Sequence, residues 1–153
     1  MSIAQRLREL GITLPKPTTP VANYVPWRIG GGLLFLSGVG PQQVDPAFPG
    51  GQVTRELSVE QAYQAARLCG LALLGNTQAA LGSLERVEAV LKVFGMVNAP
   101  AGFGQQPEVI NGCTDLFVEV LGEAGRPARS AVGMGSLPRN IVVEVEAVML
   151  IRG

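Results

Sequence analysis

Eleven consecutive residues near the C-terminus, Ile141 to Ile151, are apolar except for Glu144 and Glu146. A run of this length, rich in valine, reads as a strand that a sheet must enclose. Alternate side chains of a strand point to opposite faces, so the two carboxylates share a face with Val142, Val148 and Leu150. Acids are poor strand formers and are rarely buried alone. A second short strand begins around Ala128 and Arg129, ahead of a Gly/Pro connection, with Arg129 lying 15 positions before Glu144. An arginine and an acid on strands make a candidate site: a fixed cation for an anionic ligand, with a carboxylate nearby.

Two helix-length stretches precede this ending. Ser58-Val59-Glu60-Gln61 is a capping box, and the helix it opens runs to about Leu81, with Gly82 beyond. Ala62, Ala65, Ala66, Cys69, Leu73 and Ala80 give it a small-residue face suited to lying on a sheet. Gln106-Pro107 opens the second helix. Its stripe of Val109, Ile110, Cys113, Leu116, Phe117 and Val120 faces the core, Asn111 sits at the stripe's edge, and Glu108, Gly112, Asp115 and Glu119 face away. Between the helices, Leu84 to Asn98 is predicted as a long strand. Val87, Ala89, Leu91, Val93 and Val97 fall on one face, and Arg86, Glu88, Lys92 and Met96 on the other. Earlier, Tyr24–Ile29 and Leu33–Gly38 flank Gly30-Gly31-Gly32 as a hairpin, and a small strand is expected near Val53. The order β-β-α-β-α-β-β predicts an α+β chain, one mixed sheet with both helices on one face. Arg129 and Glu144 are expected on the other face, and a partner subunit is the simplest cover for it.

The chain is expected to form a single domain over residues 1–153. Residues 1–20 hold a short amphipathic helix (Ile3, Leu7, Leu10) and a proline-rich linker; residues 21–153 form the core. Twelve basic residues balance twelve acidic ones, which argues against a nucleic-acid footprint. There is no histidine, which removes histidine-based triads and the usual zinc sites. No metal or cofactor is expected. Cys69 and Cys113 read as small buried thiols. The N-terminal residues lack the apolar core of a signal peptide, and no apolar run approaches a membrane span, so the expected location is cytoplasmic and no membrane partner is expected.

Several segments, in order, resemble the RidA/YjgF family of reactive-intermediate (enamine/imine) deaminases, long labelled endoribonuclease L-PSP. They are Asn23-Tyr24-Val25-Pro26, Leu34-Phe35-Leu36-Ser37-Gly38 with Pro41, Val109-Ile110-Asn111, Ala128-Arg129-Ser130-Ala131-Val132, and Leu137-Pro138-Arg139-Asn140 leading into Val143-Glu144-Val145-Glu146-Ala147. The arginine, Leu-Pro and Glu-x-Glu-Ala ending is the most specific part. The resemblance implies a chorismate-mutase-like fold assembled as a homotrimeric barrel, with clefts between subunits. It implies that Arg129 clamps a substrate carboxylate and Glu144 orients water. Tyr24, Ser37, Gly38 and Asn111 fall on substrate-binding positions. Ala131 stands where many relatives carry a cysteine, so no thiol role is available. Gly133-Met134-Gly135 is looser than the family's strand, and the N-terminal segment marks a longer subgroup.

The chemistry implied is hydrolysis of a 2-imino acid, or its 2-enamine tautomer, to a 2-oxo acid and ammonia. An iminium carbon is already electrophilic, so a positioned carboxylate and water suffice. A non-catalytic trimer that binds small carboxylates, as a sensor or interaction protein, is the alternative. A ribonuclease or translation inhibitor is weaker, with no basic excess and few aromatics for stacking. On their own, the residues also allow Arg129 to be an ion-pair partner of Glu144 or Glu146, Tyr24 a core aromatic, and Arg126 and Arg139 solvated loop charges.

Overall fold

The computed structural model describes residues 1–153. Ser58 starts the longest helix, α2 (Val59–Leu81), by accepting a hydrogen bond from the Gln61 amide, while the Gln61 side chain accepts one from the Ser58 amide. A cap of this kind is worth about 1 kcal/mol. Gly82 ends the helix in the left-handed conformation, φ 79°. The second long helix, α3 (Gln106–Leu121), buries all six residues of its predicted stripe. Gly112 does not face away as expected. It is buried where α3 crosses α2, and a Cβ there would collide with the Tyr63 carbonyl. The glycine is what lets the two backbones approach so closely.

Five strands form one sheet in the order β1-β2-β5-β3-β4. They are β1 (Trp27–Gly30), β2 (Leu33–Val39), β3 (Val87–Asn98), β4 (Ala128–Met134) and β5 (Val143–Ile151). The glutamate-bearing C-terminal run is the central strand, antiparallel to both neighbours. β3 and β4 are parallel, with α3 as the crossover between them. Val143, Val145, Ala147, Met149 and Ile151 are buried against the helices. Glu144, Glu146, Val148 and Leu150 alternate with them on the open face.

Further expectations are corrected. β1 begins at Trp27, leaving Tyr24 in a bend before it. Val53 makes a single bridge to Leu57 rather than a strand. β3 begins at Val87 after a 3₁₀ turn over Leu84–Arg86. Register shifts against β5 between Val87 and Ala89 and again between Val90 and Lys92 break its two-residue period. As a result Val90 is buried and Leu91 is 41% exposed, the reverse of the uninterrupted alternation.

The correction for Arg129 matters most. Arg129 lies level with Val93, which lies level with Ala147, and both neighbours are buried on the helix side. Arg129 therefore points to the helix face, whereas Glu144 points to the open one. Strand parity cannot be read until the pairing register is known.

The N-terminal segment packs on the body. Helix α1 (Ile3–Glu9) donates from Arg6 Nη1 to the Glu119 carbonyl at 3.1 Å, and its Ile3 amide reaches Glu85 Oε1 at 2.6 Å. The linker is tied to α2 where the fully buried Asn76 accepts from the Thr18 amide at 2.8 Å. No helix is long and apolar enough to cross a membrane.

Candidate active site

The residues singled out from the sequence fall into two clefts. The first has a volume of about 530 Å³ and lies between α3 and the start of β4. Asn111, Thr114, Asp115 and Glu119 line it from the helix, and Arg126 and Arg129 from the strand side. Asn111, Thr114 and Val118 follow one another at i, i+3 and i+7, one face of a helix turned to the cleft.

Arg129 is held there by neutral groups. Its Nη1 donates to Asn111 Oδ1 at 2.8 Å and to Thr114 Oγ1 at 3.1 Å, and its Nη2 donates to the Pro107 carbonyl at 3.4 Å. It makes no salt bridge, so the ion pair with Glu144 or Glu146 does not form. The acids of this cleft are engaged elsewhere. Glu119 pairs with Arg67 at 3.0 Å, and Asp115 accepts from the Tyr63 hydroxyl at 2.8 Å. That hydrogen bond, then burial, pushes the Tyr63 phenol up to about 12. Arg126, the solvated loop charge expected from the sequence, lies at the cleft's edge and pairs with Glu123.

The second cleft, about 570 Å³, lies at the other end of the site residues. Tyr24, Ser37, Gly38 and Glu144 line it, with Thr19 and Val21 of the linker and Arg139 and Ile141 of the loop before β5. Tyr24 is 42% exposed and so is not a core aromatic. Ser37 donates to the Val25 carbonyl at 2.7 Å, which fixes the Tyr24 segment beside β2. The Glu144 carboxyl is held above the usual carboxylate range, first by burial and then by the charge of Glu146. Gly38 makes room for it: a Cβ at that position would stand 2.5 Å from Glu144 Oε2.

Arg139 and Asn140 both adopt the left-handed conformation, φ 56° and 58°. Such a conformation costs a non-glycine residue roughly 1–2 kcal/mol. Buried Asn98 holds the loop in place, its Nδ2 donating to Asn140 Oδ1 at 3.2 Å and to the Ile141 carbonyl at 3.1 Å. Arg139 thus stands on the wall of the Glu144 cleft.

Arg129 and Glu144 do not share a cleft on one chain. Glu144 lies level with Met96, three positions along β3 from Val93, the neighbour of Arg129. Two strand spacings and three residues put the two backbones roughly 10 Å apart in each direction, with side chains on opposite faces. Ala131 lines neither cleft; it lies level with Gly95 and packs partly on the core. Sequence reasoning missed Thr114 and read Arg139 only as a loop charge. The i, i+3 spacing of Thr114 from Asn111 was a signal for the first; nothing local marked the second.

A mixed sheet backed by two helices, with a neutrally held arginine at its parallel edge and a raised glutamate on its central strand, defines a chorismate-mutase-like α+β protein. Residues 4–149 match the family described as "YjgF/chorismate_mutase-like, putative endoribonuclease". The chain belongs to this YjgF/RidA family. It is 40% identical over 148 residues to Protein TCP17 of Trypanosoma cruzi, covering 96% of this chain and 92% of that one. It is 44% identical to the crystal structure of Atu1372 from Agrobacterium tumefaciens, a protein of unknown function, with a TM-score of 0.89 over 98% of this chain and 92% of that one. RidA from the Antarctic bacterium Psychrobacter sp. PAMC 21119 is 26% identical, with a TM-score of 0.61 over 92% and 98% of the two chains.

Proposed function

We propose that the protein hydrolyses reactive 2-imino acids, or their 2-enamine tautomers, to 2-oxo acids and ammonia. The observation that carries this reading is Arg129: a partly buried guanidinium lining a cleft, oriented by two side-chain oxygens and a carbonyl, with no acidic partner. An unpaired buried cation is costly. A substrate carboxylate would supply the missing charge through a bidentate, charge-assisted contact.

Glu144 is the proposed base. Its raised pKa makes it a stronger proton acceptor than an ordinary carboxylate, and it would hold the attacking water and take its proton as the C–O bond forms. The proton is then returned to the departing amine. Tyr24 walls the pocket, and Gly38 leaves the carboxylate its place.

Because the two groups lie in separate clefts of one chain, this reading requires the Arg129 cleft of one subunit to meet the Glu144 cleft of the next. The open sheet face supports such an assembly. Phe35 is 47% exposed there, beside half-buried Leu33, Phe94, Val132, Val148 and Leu150. A homotrimer closed around this face is the arrangement proposed.

The test is turnover of imines generated from several amino acids, with wild type beside Arg129→Ala. Faster imine loss that disappears in the variant is expected. Saturable binding of 2-oxo acids with no turnover would replace the deaminase by a carboxylate-binding protein.

A further inference from the structure

Thr114 is 8% exposed, a buried polar side chain on the face of α3 turned to the arginine cleft. Its Oγ1 accepts from Arg129 Nη1 at 3.1 Å and donates to no group of the chain. Asn111 Oδ1 accepts from the same nitrogen at 2.8 Å. Nη1 carries two hydrogens and faces two acceptors, so it has no strong donor left. Nη2 spends one hydrogen on the Pro107 carbonyl at 3.4 Å, and Nε makes no hydrogen bond. All three acceptors belong to the first three turns of α3.

We infer that Thr114 is a positioning residue: with Asn111 it occupies the Nη1 end of Arg129 and leaves the Nε–Nη2 edge as the docking edge for a carboxylate. The inference rests on the carboxylate-binding reading above and extends it to a named orientation. A guanidinium anchored at one end presents two parallel N–H bonds at the other, the geometry that matches a carboxylate's two oxygens. A guanidinium free to turn would offer the same charge without that fixed edge. Arg129 therefore depends on a hydroxyl that touches no reacting atom.

Thr114→Val keeps the shape and removes the acceptor; Thr114→Ser keeps the acceptor and removes the methyl. Two measurements separate the roles. The first is calorimetric titration with 2-oxobutanoate. The second is the ¹⁵N spectrum of the Arg129 guanidinium without ligand, where a tethered Nη1 gives a signal apart from Nη2. Thr114→Val is expected to weaken 2-oxobutanoate binding about tenfold, as loss of a hydrogen bond to a charged group does, and to move the Nη1 signal. Thr114→Ser restores both. Unchanged affinity in Thr114→Val overturns the inference. Equal weakening in both variants overturns it as well, because the methyl and not the hydroxyl would then matter. If instead the wild type binds no 2-oxo acid while the Nη1 signal still responds to Thr114→Val, the carboxylate reading is what fails, and the tether on the guanidinium stands.

Discussion

The two clefts are built on opposite plans. The arginine cleft is framed by a helix face and the edge strand, and its cation is locked by neutral oxygens while neighbouring acids are tied to Arg67 and Tyr63. The glutamate cleft is framed by a bend, a linker and a strained loop, and its carboxylate is left without a cation in contact. On the proposed reading, one holds charge and the other lets a proton come and go. Neither can do both, which is why the proposed chemistry divides binding from proton transfer and divides them between two chains.

The largest effects test that division directly. Glu144→Gln is expected to lower kcat roughly 10²–10⁴-fold with KM nearly kept, as removal of a general base does. Arg129→Ala is expected to lower kcat/KM by at least about 100-fold, with 2-oxo acid binding lost, because the fork and its charge go together. Steady-state kinetics on both variants check the split, and a KM effect in Glu144→Gln equal to that in Arg129→Ala would break the comparison.

A mixing experiment sharpens it. Each variant alone should keep no more than about one-hundredth of the wild-type activity. Refolding the two together should restore about one site in four in randomly mixed trimers, since each intact site takes its arginine and its glutamate from different chains. No recovery in a mixture shown to contain hybrid trimers would overturn the site shared between chains.

A smaller effect comes from Gly38→Ala. Its new methyl would meet the end of the Glu144 side chain, which can swing aside. The melting temperature should hardly change, while kcat falls roughly 10- to 100-fold because the carboxylate is displaced. Binding of 2-oxo acid by Arg129 should be untouched.

The smallest effect is on stability. Burial raises the Glu144 pKa, so the folded chain holds that proton more tightly than the unfolded chain does. The resulting stabilisation is present below the ordinary carboxylate pKa and is lost as pH rises through the raised one. Glu144→Gln should therefore melt slightly above wild type at neutral pH, and this advantage should vanish in acid. The acid limb of the wild-type kcat/KM profile should lie above the ordinary carboxylate range for the same reason.

Much of the frame was legible from local rules. Ser58, Gln61 and Gly82 mark both ends of α2, and the stripe from Val109 to Val120 marks α3, because caps and helical periodicity are properties of neighbours in sequence. The central strand is legible from its apolar run. The face of Arg129 is not, because it depends on pairing with β3, whose register shifts against β5 reset the alternation. Gly112 misleads for a related reason: a glycine looks like a gap in a polar face until another helix is laid across it. Arg139 reads as a loop charge because its left-handed backbone is imposed by Asn98, 41 positions earlier.

Cys69 and Cys113 are fully buried, and burial raises both thiols far above their usual range. To a maleimide or an alkylating dye the native chain is therefore silent. One engineered cysteine on the rim of either cleft would carry the whole label, so a donor dye at one rim and an acceptor at the other could watch subunits come together with both native cysteines left in place.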